Sequence, residues 1–171
     1  MRLLLLSCSI LLIAVSYPGG PFPLLVSIAV APALVAVANL KPLQSALILG
    51  VWAWLWWLLA LWWGVPSLIN FSETSELVSI FIIGAICFTL ALPYALAAFI
   101  ISYLKLWQSG LGLIQIPLCF AVFISVFATV LPAAPVNALF EYPMLLQLAD
   151  IGGLPLLIFF YFLVNTSLAS I

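Results

Sequence analysis

Long apolar stretches, separated by short breaks that contain proline, glycine or charged residues, dominate the pattern of hydrophobic and polar positions. Inside bilayer hydrocarbon every backbone N–H and C=O needs a partner within its own segment, so apolar stretches of near-spanning length are expected to be helical. The pattern predicts six transmembrane helices, at about 3–16, 24–40, 45–63, 77–101, 112–131 and 153–170. The expected fold is a single all-α polytopic membrane domain over residues 1–171.

The composition supports a membrane-embedded protein. Apolar residues make up 68% of the 171 positions and charged residues 4%, against about 45–50% and about 25% in soluble domains. Three basic and four acidic side chains are too few to cover the surface of a soluble domain of this length. Lipid is therefore the expected solvent for most of the surface.

The charged residues separate by side when the predicted helices are threaded back and forth across a bilayer. Arg2, Lys41 and Lys105 fall on one side. The acidic residues all fall on the other side, and they are Glu73, Glu76, Glu141 and Asp150. Short loops that carry Lys and Arg stay in the cytoplasm. Both termini are therefore expected in the cytoplasm.

The first apolar segment has a second interpretation. Arg2, a short apolar core and Ala14-Val15-Ser16 fit a cleaved signal peptide, and about 14 residues is short for a span. Cleavage would leave five helices with unchanged orientation. The proline- and glycine-rich stretch 17–23 favours instead a tight turn into the second helix.

The residue types present do not indicate catalysis or metal binding. The chain has no His, which is the commonest general base and metal ligand. Cys8, Cys87 and Cys119 form no CxxC pair and lie in apolar runs, which favours inert packing over nucleophilic chemistry. We expect no catalytic residue, no metal and no cofactor. Without a basic patch, we also expect no nucleic-acid partner.

Tryptophans concentrate in the third predicted helix. At 100° per residue, Trp52, Trp56 and Trp63 form a stripe along one face, with Trp54 and Trp57 on the opposite face. Such a stripe either packs against neighbouring helices or forms the wall of a groove for an acyl chain.

Two other features extend this stripe into a candidate lipid groove. Pro93 lies inside the fourth predicted helix, where it removes a backbone hydrogen bond and is expected to kink the helix and open space. The apolar stretch 144–149 is too short to span, so we expect a short helix at the membrane interface. The candidate groove is lined by Trp52, Trp56, Pro93, Tyr142 and Leu148.

Two polar residues near the C-terminus have expected structural roles. Asn165 lies in the most polar cluster within a predicted helix, and an interhelical hydrogen bond is its expected role. Asp150 precedes the sixth predicted helix and is expected to cap its N-terminus.

Several segments, taken in order, carry a family resemblance that covers almost the whole chain. They include a Pro/Phe-rich turn at 17–24, an aromatic-rich third helix and a Pro-Tyr-Ala-Leu-Ala-Ala segment at 93–98. A Gln-Leu-Ala-x-x-Gly-Gly pattern at 147–153 is followed by Val164-Asn165. These segments resemble the N-terminal membrane domain of bacterial apolipoprotein N-acyltransferases, which belong to the nitrilase-like acyltransferases.

The resemblance implies a multi-pass protein of the bacterial inner membrane, connected with lipoprotein acylation and with phospholipid as a partner. In that family a Glu-Lys-Cys triad in an extracytoplasmic nitrilase-like domain performs the chemistry, and this chain lacks that domain. An apolar stretch at 122–127 also replaces the polar group of the family's fifth helix. No catalytic residue carries over. The implied function is a lipid-binding or anchoring half, or a truncated form, with a separately encoded nitrilase-like catalytic domain as candidate partner.

The sequence leaves other functions open. One is a nitrilase-type membrane protein of a plasmid conjugal-transfer operon, and another is a small non-enzymatic transporter or scaffold subunit. Transporters usually place ionisable groups within their spans. All charged residues here fall at predicted helix ends or in loops. This placement disfavours coupling to ions or protons.

Overall fold

The computed structural model describes residues 1–16, 21–127, 134–139 and 142–171, and within these ranges the regular structure is all-helical. The α-helices are α1 (Arg2–Ser16), α2 (Val26–Ala29), α3 (Ala31–Val37), α4 (Pro42–Leu61), α5 (Gly64–Ser72), α6 (Glu76–Tyr103), α7 (Gly112–Val126) and α8 (Pro143–Ala169). Short 3₁₀ helices occupy Pro23–Leu25, Leu106–Gln108 and Pro135–Leu139. The predicted all-α class is confirmed for these ranges.

Three of the described helices are long and apolar enough to cross a membrane. They are α4, α6 and the Gln147–Ala169 part of α8, and they correspond to the third, fourth and sixth predicted spans. Helices α1 and α7 and the segment Pro23–Val37 are apolar but shorter. The other predicted spans and the cytoplasmic termini therefore stay predictions. The turn at 17–20, the end of the fifth predicted span at 128–131 and Glu141 lie outside the described residues.

Helices α4 and α6 run antiparallel and form the most extensive helix pair. A Cβ added to Gly50 of α4 would lie 3.0 Å from the Cβ of Ala95 in α6, so the two backbones approach closely there. Further along, the Trp54 indole N–H donates to the carbonyl oxygen of Gly84 at 3.1 Å. Small residues at a crossing allow close packing between membrane helices, where lipid offers little hydrophobic driving force.

The two ends of this helix pair carry charges of opposite sign. Lys41, just before α4, and Lys105, just after α6, line one common cavity. Glu76 begins α6 and Glu73 precedes it, at the opposite end of that helix from Lys105. The two lysines therefore share one end of the pair.

The predicted polar break at 64–76 contains a helix instead. Helix α5 occupies Gly64–Ser72 and ends at Glu73, which has a left-handed backbone. Gly64 and Val65 are buried, and a Cβ at Gly64 would lie 2.6 Å from Ile83 Cδ1. The segment becomes helical because its first turn packs tightly against α6.

The second predicted span is interrupted. A 3₁₀ turn, α2 and α3 replace the single helix expected at 24–40, with the break at Val30. Pro32 lies in the first turn of α3. It has no N–H to donate, and its ring is incompatible with a continuous helix through the preceding turn.

Helix α8 combines the predicted interfacial helix and the sixth predicted span. It begins at Pro143 and continues to Ala169, but Gly153 has φ 66° and ψ −168°, which kinks the helix. Asp150 therefore lies within the last turn of the helix before the kink. Gly153 directly precedes the part of α8 that follows the kink. The expectation that Asp150 caps the sixth helix is wrong.

Candidate functional site

A cluster of six aromatic side chains fills the centre of the described structure, and each is at most 2% exposed. This aromatic cluster comprises Trp52, Trp56 and Trp57 of α4, Tyr94 of α6, Phe120 of α7 and Phe162 of α8. The Tyr94 ring centroid lies 6.3–6.5 Å from the centroids of Trp52, Trp56, Phe120 and Phe162. The cluster therefore ties four helices together around one tyrosine.

Close stacking leaves little free space inside the cluster. The Trp56 and Trp57 ring centroids are 3.9 Å apart, and those of Phe120 and Phe162 are 4.1 Å apart with an interplanar angle of 8°. At these separations the ring faces are in van der Waals contact, and such contacts add up over a whole ring. The centre of the molecule is thus a packed core.

Two of the five candidate groove residues, Trp52 and Trp56, belong to this core. The Trp52 and Trp56 centroids are 6.4 Å apart, and Pro93 is buried next to Tyr94. Tyr142 and Leu148 are half-buried in the first part of α8 and its approach. Among the described ring contacts, Tyr142 does not reach the cluster.

The predicted tryptophan stripe differs from the observed buried face. Trp57, expected opposite Trp52 and Trp56, is stacked on Trp56, whereas Trp63 is 65% exposed. Helix α4 buries a broad face because α6 contacts it along its length. The end of the stripe lies beyond this contact, since α4 stops at Leu61.

A groove lies between α1 and α4 and has a volume of about 390 Å³. This α1–α4 groove is lined by Leu3, Leu6, Ser7, Ile10, Leu47, Ile48, Val51, Trp52 and Leu55. Of the candidate residues, Trp52 lines the groove and also belongs to the aromatic cluster. Sequence reasoning missed the contribution of α1, although Leu3, Leu6 and Ile10 follow the helical spacing that places residues on one face.

A smaller groove of about 220 Å³ lies between α4 and α6, and it adjoins the α1–α4 groove because Leu47 and Val51 line both. It forms where Gly50, Ala91 and Ala95 leave space beside Trp54 and Phe88. Helix α4 is thus flanked by two apolar surface grooves.

The interruption between α2 and α3 is held by the side chain of Asn165 from α8. Asn165 is fully buried, and its Oδ1 accepts hydrogen bonds from the backbone N–H groups of Val30 at 2.9 Å and Ala31 at 2.8 Å. Its Nδ2 donates to the carbonyl oxygens of Ser27 and Tyr161 at 2.9 and 2.8 Å. The predicted interhelical hydrogen bond is confirmed. Both polar atoms of the amide are engaged by the protein itself, so Asn165 is a structural residue.

A second side chain supports the same interruption from α1. The buried Ser9 hydroxyl donates to the carbonyl oxygen of Ala29 at 2.5 Å. The break is thus fixed from both ends of the chain, by α1 and by α8.

The thiols lie apart from one another. Cys87 is buried in α6, Cys119 Sγ lies 3.8 Å from the carbonyl oxygen of Ala97, and Cys8 is exposed. In the described part of the chain, no three His, Cys, Asp or Glu side chains come close enough to hold a metal ion.

Comparison with known proteins adds no relative: no family model, no curated protein and no solved structure matches this chain. The class that the fold and site define is an all-helical protein, within the described ranges, with three helices able to cross a membrane and an apolar groove on the outer face of one of them.

Proposed function

We propose that this chain is a lipid-holding membrane domain in which the α1–α4 groove accommodates an acyl chain of a phospholipid. The groove is the observation that carries the proposal. Its walls are aliphatic apart from Ser7 and the Trp52 indole, and Leu3, Leu47 and Val51 at its walls are exposed. Because α4 is of spanning length, its exposed Leu47 and Val51 side chains face hydrocarbon when the helix crosses a bilayer.

Shape supports an acyl chain as the occupant. Transfer of an acyl chain from lipid to a protein groove brings no hydrophobic gain, since both surroundings are apolar. Retention must come from dispersion contacts, which are small individually and add up over a concave surface. A groove between two helices offers such contacts on more sides than the convex face of one helix.

The resemblance to apolipoprotein N-acyltransferase membrane domains extends the proposal. On that basis, the chain is a lipid-presenting or anchoring half in the bacterial inner membrane, and a separately encoded nitrilase-like protein supplies acyl transfer. Support for this extension comes from the short segments in the sequence, such as the pattern at 147–153.

A bulky substitution inside the groove tests the lipid site. Leu6→Trp places a large ring in the groove, whereas Leu11→Trp adds the same ring to an exposed position of α1 that does not line it. With a phospholipid that carries a photoreactive group in its acyl chain, we expect crosslinks to α1 and α4 in the wild type. We expect Leu6→Trp to reduce them about fivefold, which corresponds to about 1 kcal/mol, and Leu11→Trp to retain them.

Two results would contradict the proposal. Crosslinking to α7 as strong as that to α1 and α4 would indicate ordinary contact with bulk lipid, and equal yields in the two variants would exclude the groove as the site. The catalytic partner is tested separately by purification from native membranes. A nitrilase-like protein encoded beside this chain should co-purify with it, and its absence from the purified material would remove that extension.

A further inference from the structure

A third cavity, with two lysines in its lining, lies where the start of α4 meets the segment that follows α6, and its volume is about 290 Å³. This lysine cavity is lined by Lys41 and Lys105, together with Asn39, Ser102, Trp107, Gln108 and apolar neighbours. It shares no lining residue with the α1–α4 groove. An inference drawn from it therefore goes beyond the proposed function and does not depend on it.

The charges around the lysine cavity are all of one sign. Two of the chain's three basic residues line it, and its described lining includes no acidic residue. Lys41 and Lys105 are both exposed residues of this lining, and their two ammonium groups carry like charges that repel each other. An anion bound between them would turn this repulsion into attraction to a shared partner.

Local backbone structure brings the two lysines to the cavity. Lys105 has a left-handed backbone, with φ 53° and ψ 39°, immediately after α6. It begins a 3₁₀ turn in which the Gln108 N–H donates to the Lys105 carbonyl oxygen at 2.9 Å. This turn places Trp107 and Gln108 beside the residues that precede α4.

One more feature of the wall suits an anion. Lys41 precedes the 20-residue helix α4, and no side chain caps that N-terminus. The positive end of the helix dipole therefore adds to the field of the lysines.

The position of the cavity matches the level of lipid phosphates. Helix α4 begins at Pro42 and α6 ends at Tyr103, and both are long enough to cross a membrane. The cavity lies at the common end of these helices, where the hydrocarbon gives way to the head groups. Its volume of about 290 Å³ is roughly ten times the share of one water molecule, about 30 Å³. It can therefore hold a phosphate group and the atoms attached to it.

We propose that Lys41 and Lys105 together bind one phosphate group in the lysine cavity. The phosphate is carried either by the head group of an anionic lipid or by a soluble phosphate ester. The two ammonium groups pair with the phosphate oxygens, and the Asn39 and Gln108 amides donate hydrogen bonds to the same group. Trp107 packs against the atoms that adjoin it. The site recognises the phosphate, not an acyl chain.

Charge-neutral variants of the full chain test the site, and the third basic residue provides the matched control. Lys41→Gln and Lys105→Gln each remove one cavity cation, whereas Arg2→Gln removes the same charge from a residue that does not line the cavity. Native mass spectrometry measures how much phosphatidylglycerol the purified protein retains, with phosphate-free diacylglycerol as the comparison lipid. A separate experiment measures whether glycerol phosphate raises the midpoint temperature of thermal unfolding.

For a lipid source, we expect wild type and Arg2→Gln to retain more phosphatidylglycerol than diacylglycerol, each Lys→Gln variant to reduce this excess at least fivefold, and Lys→Arg to restore it. For a soluble source, glycerol phosphate should raise the midpoint of wild type and Arg2→Gln only. Equal loss in all three Gln variants, or equal retention of diacylglycerol, would overturn the proposal. So would an absence of response to both probes.

A measurement on the unmodified protein covers the case in which a variant fails to fold. An amine-reactive reagent labels Lys41, Lys105 and the Met1 amine, and peptide mass spectrometry quantifies each. Whichever of phosphatidylglycerol and glycerol phosphate binds should slow the labelling of both lysines at least fivefold and leave the labelling of Met1 unchanged. Equal protection of all three amines, or protection of neither lysine, would contradict a shared site.

Discussion

The side-chain amide of Asn165 bonds to backbone groups at the break between α2 and α3, where water would bond to them in a soluble protein. The N–H groups of Val30 and Ala31 both donate to its Oδ1, at 2.9 and 2.8 Å. Inside hydrocarbon, an unpaired backbone N–H is costly, because no solvent molecule takes the place of the missing acceptor. One side chain thus makes the interruption between α2 and α3 tolerable within an apolar protein.

Removal of this amide should weaken the whole structure. We expect Asn165→Ala to lower the free energy of unfolding by about 1–3 kcal/mol, because buried donors and acceptors lose their partners. Thermal unfolding in detergent measures the effect. Ser167→Ala is the control, since its exposed hydroxyl bonds only to the Leu163 carbonyl oxygen of its own helix at 2.8 Å. Equal midpoints for the two variants would show that the Asn165 bonds contribute nothing.

Two glycines determine the shape and packing of the long helices. Gly153 adopts φ 66° and ψ −168° in α8, a backbone conformation that is essentially restricted to glycine. Gly50 of α4 approaches Ala95 of α6 so closely that a Cβ would lie 3.0 Å from the alanine Cβ. Gly84, in contrast, has no atom within 4 Å of an added Cβ. Gly84 is therefore a matched control for both.

The kink in α8 should be sensitive to a single methyl group. Gly153→Ala forces a side chain into a conformation that costs about 1–3 kcal/mol, so we expect a lower unfolding midpoint. Gly84→Ala should leave the midpoint unchanged or raise it slightly, because alanine favours helix more than glycine does. A Gly153→Ala protein as stable as the wild type would mean that α8 functions without this kink.

The α4–α6 contact should tolerate no larger residue at its closest point. Gly50→Leu must separate the helices or distort the Ala95 region, and overpacking of this kind typically costs about 1–3 kcal/mol. Gly84→Leu places the same side chain in open space and should cost little. Chemical denaturation in detergent compares the two, and equal losses would contradict the close approach at Gly50.

At the level of the whole molecule, the sequence predicted elements better than contacts. The starts of α4 and α6 lie near their predicted positions because both carry local start signals: Pro42 occupies the first turn of α4, and the Ser75 hydroxyl accepts from the Val78 N–H at the start of α6. Local residues do not reveal which side of each helix is buried and which side faces lipid. Both sides of a membrane helix are apolar, so the stripe that contains Trp63 looked equivalent to the buried face around Trp57.

Long-range contacts explain what else the sequence did not reveal. The role of Asn165 as an interhelical residue followed from its polarity, but its partners lie 134–138 residues earlier. The α1–α4 groove and the lysine cavity each combine segments that are distant in sequence. Their formation depends on packing, which hydropathy alone does not encode.

The contact between Asn165 and the α2–α3 break also constrains the order of biogenesis. A ribosome that adds about 5–20 residues per second needs roughly 7–27 s to make the intervening stretch, which is 135 residues for the bond to Val30. Throughout that interval the newly inserted N-terminal segments lack their final hydrogen-bond partner. Nascent chains arrested before α8 would therefore lack the Asn165 amide and be substrates for membrane quality control, because the break between α2 and α3 acquires this partner only when α8 is made.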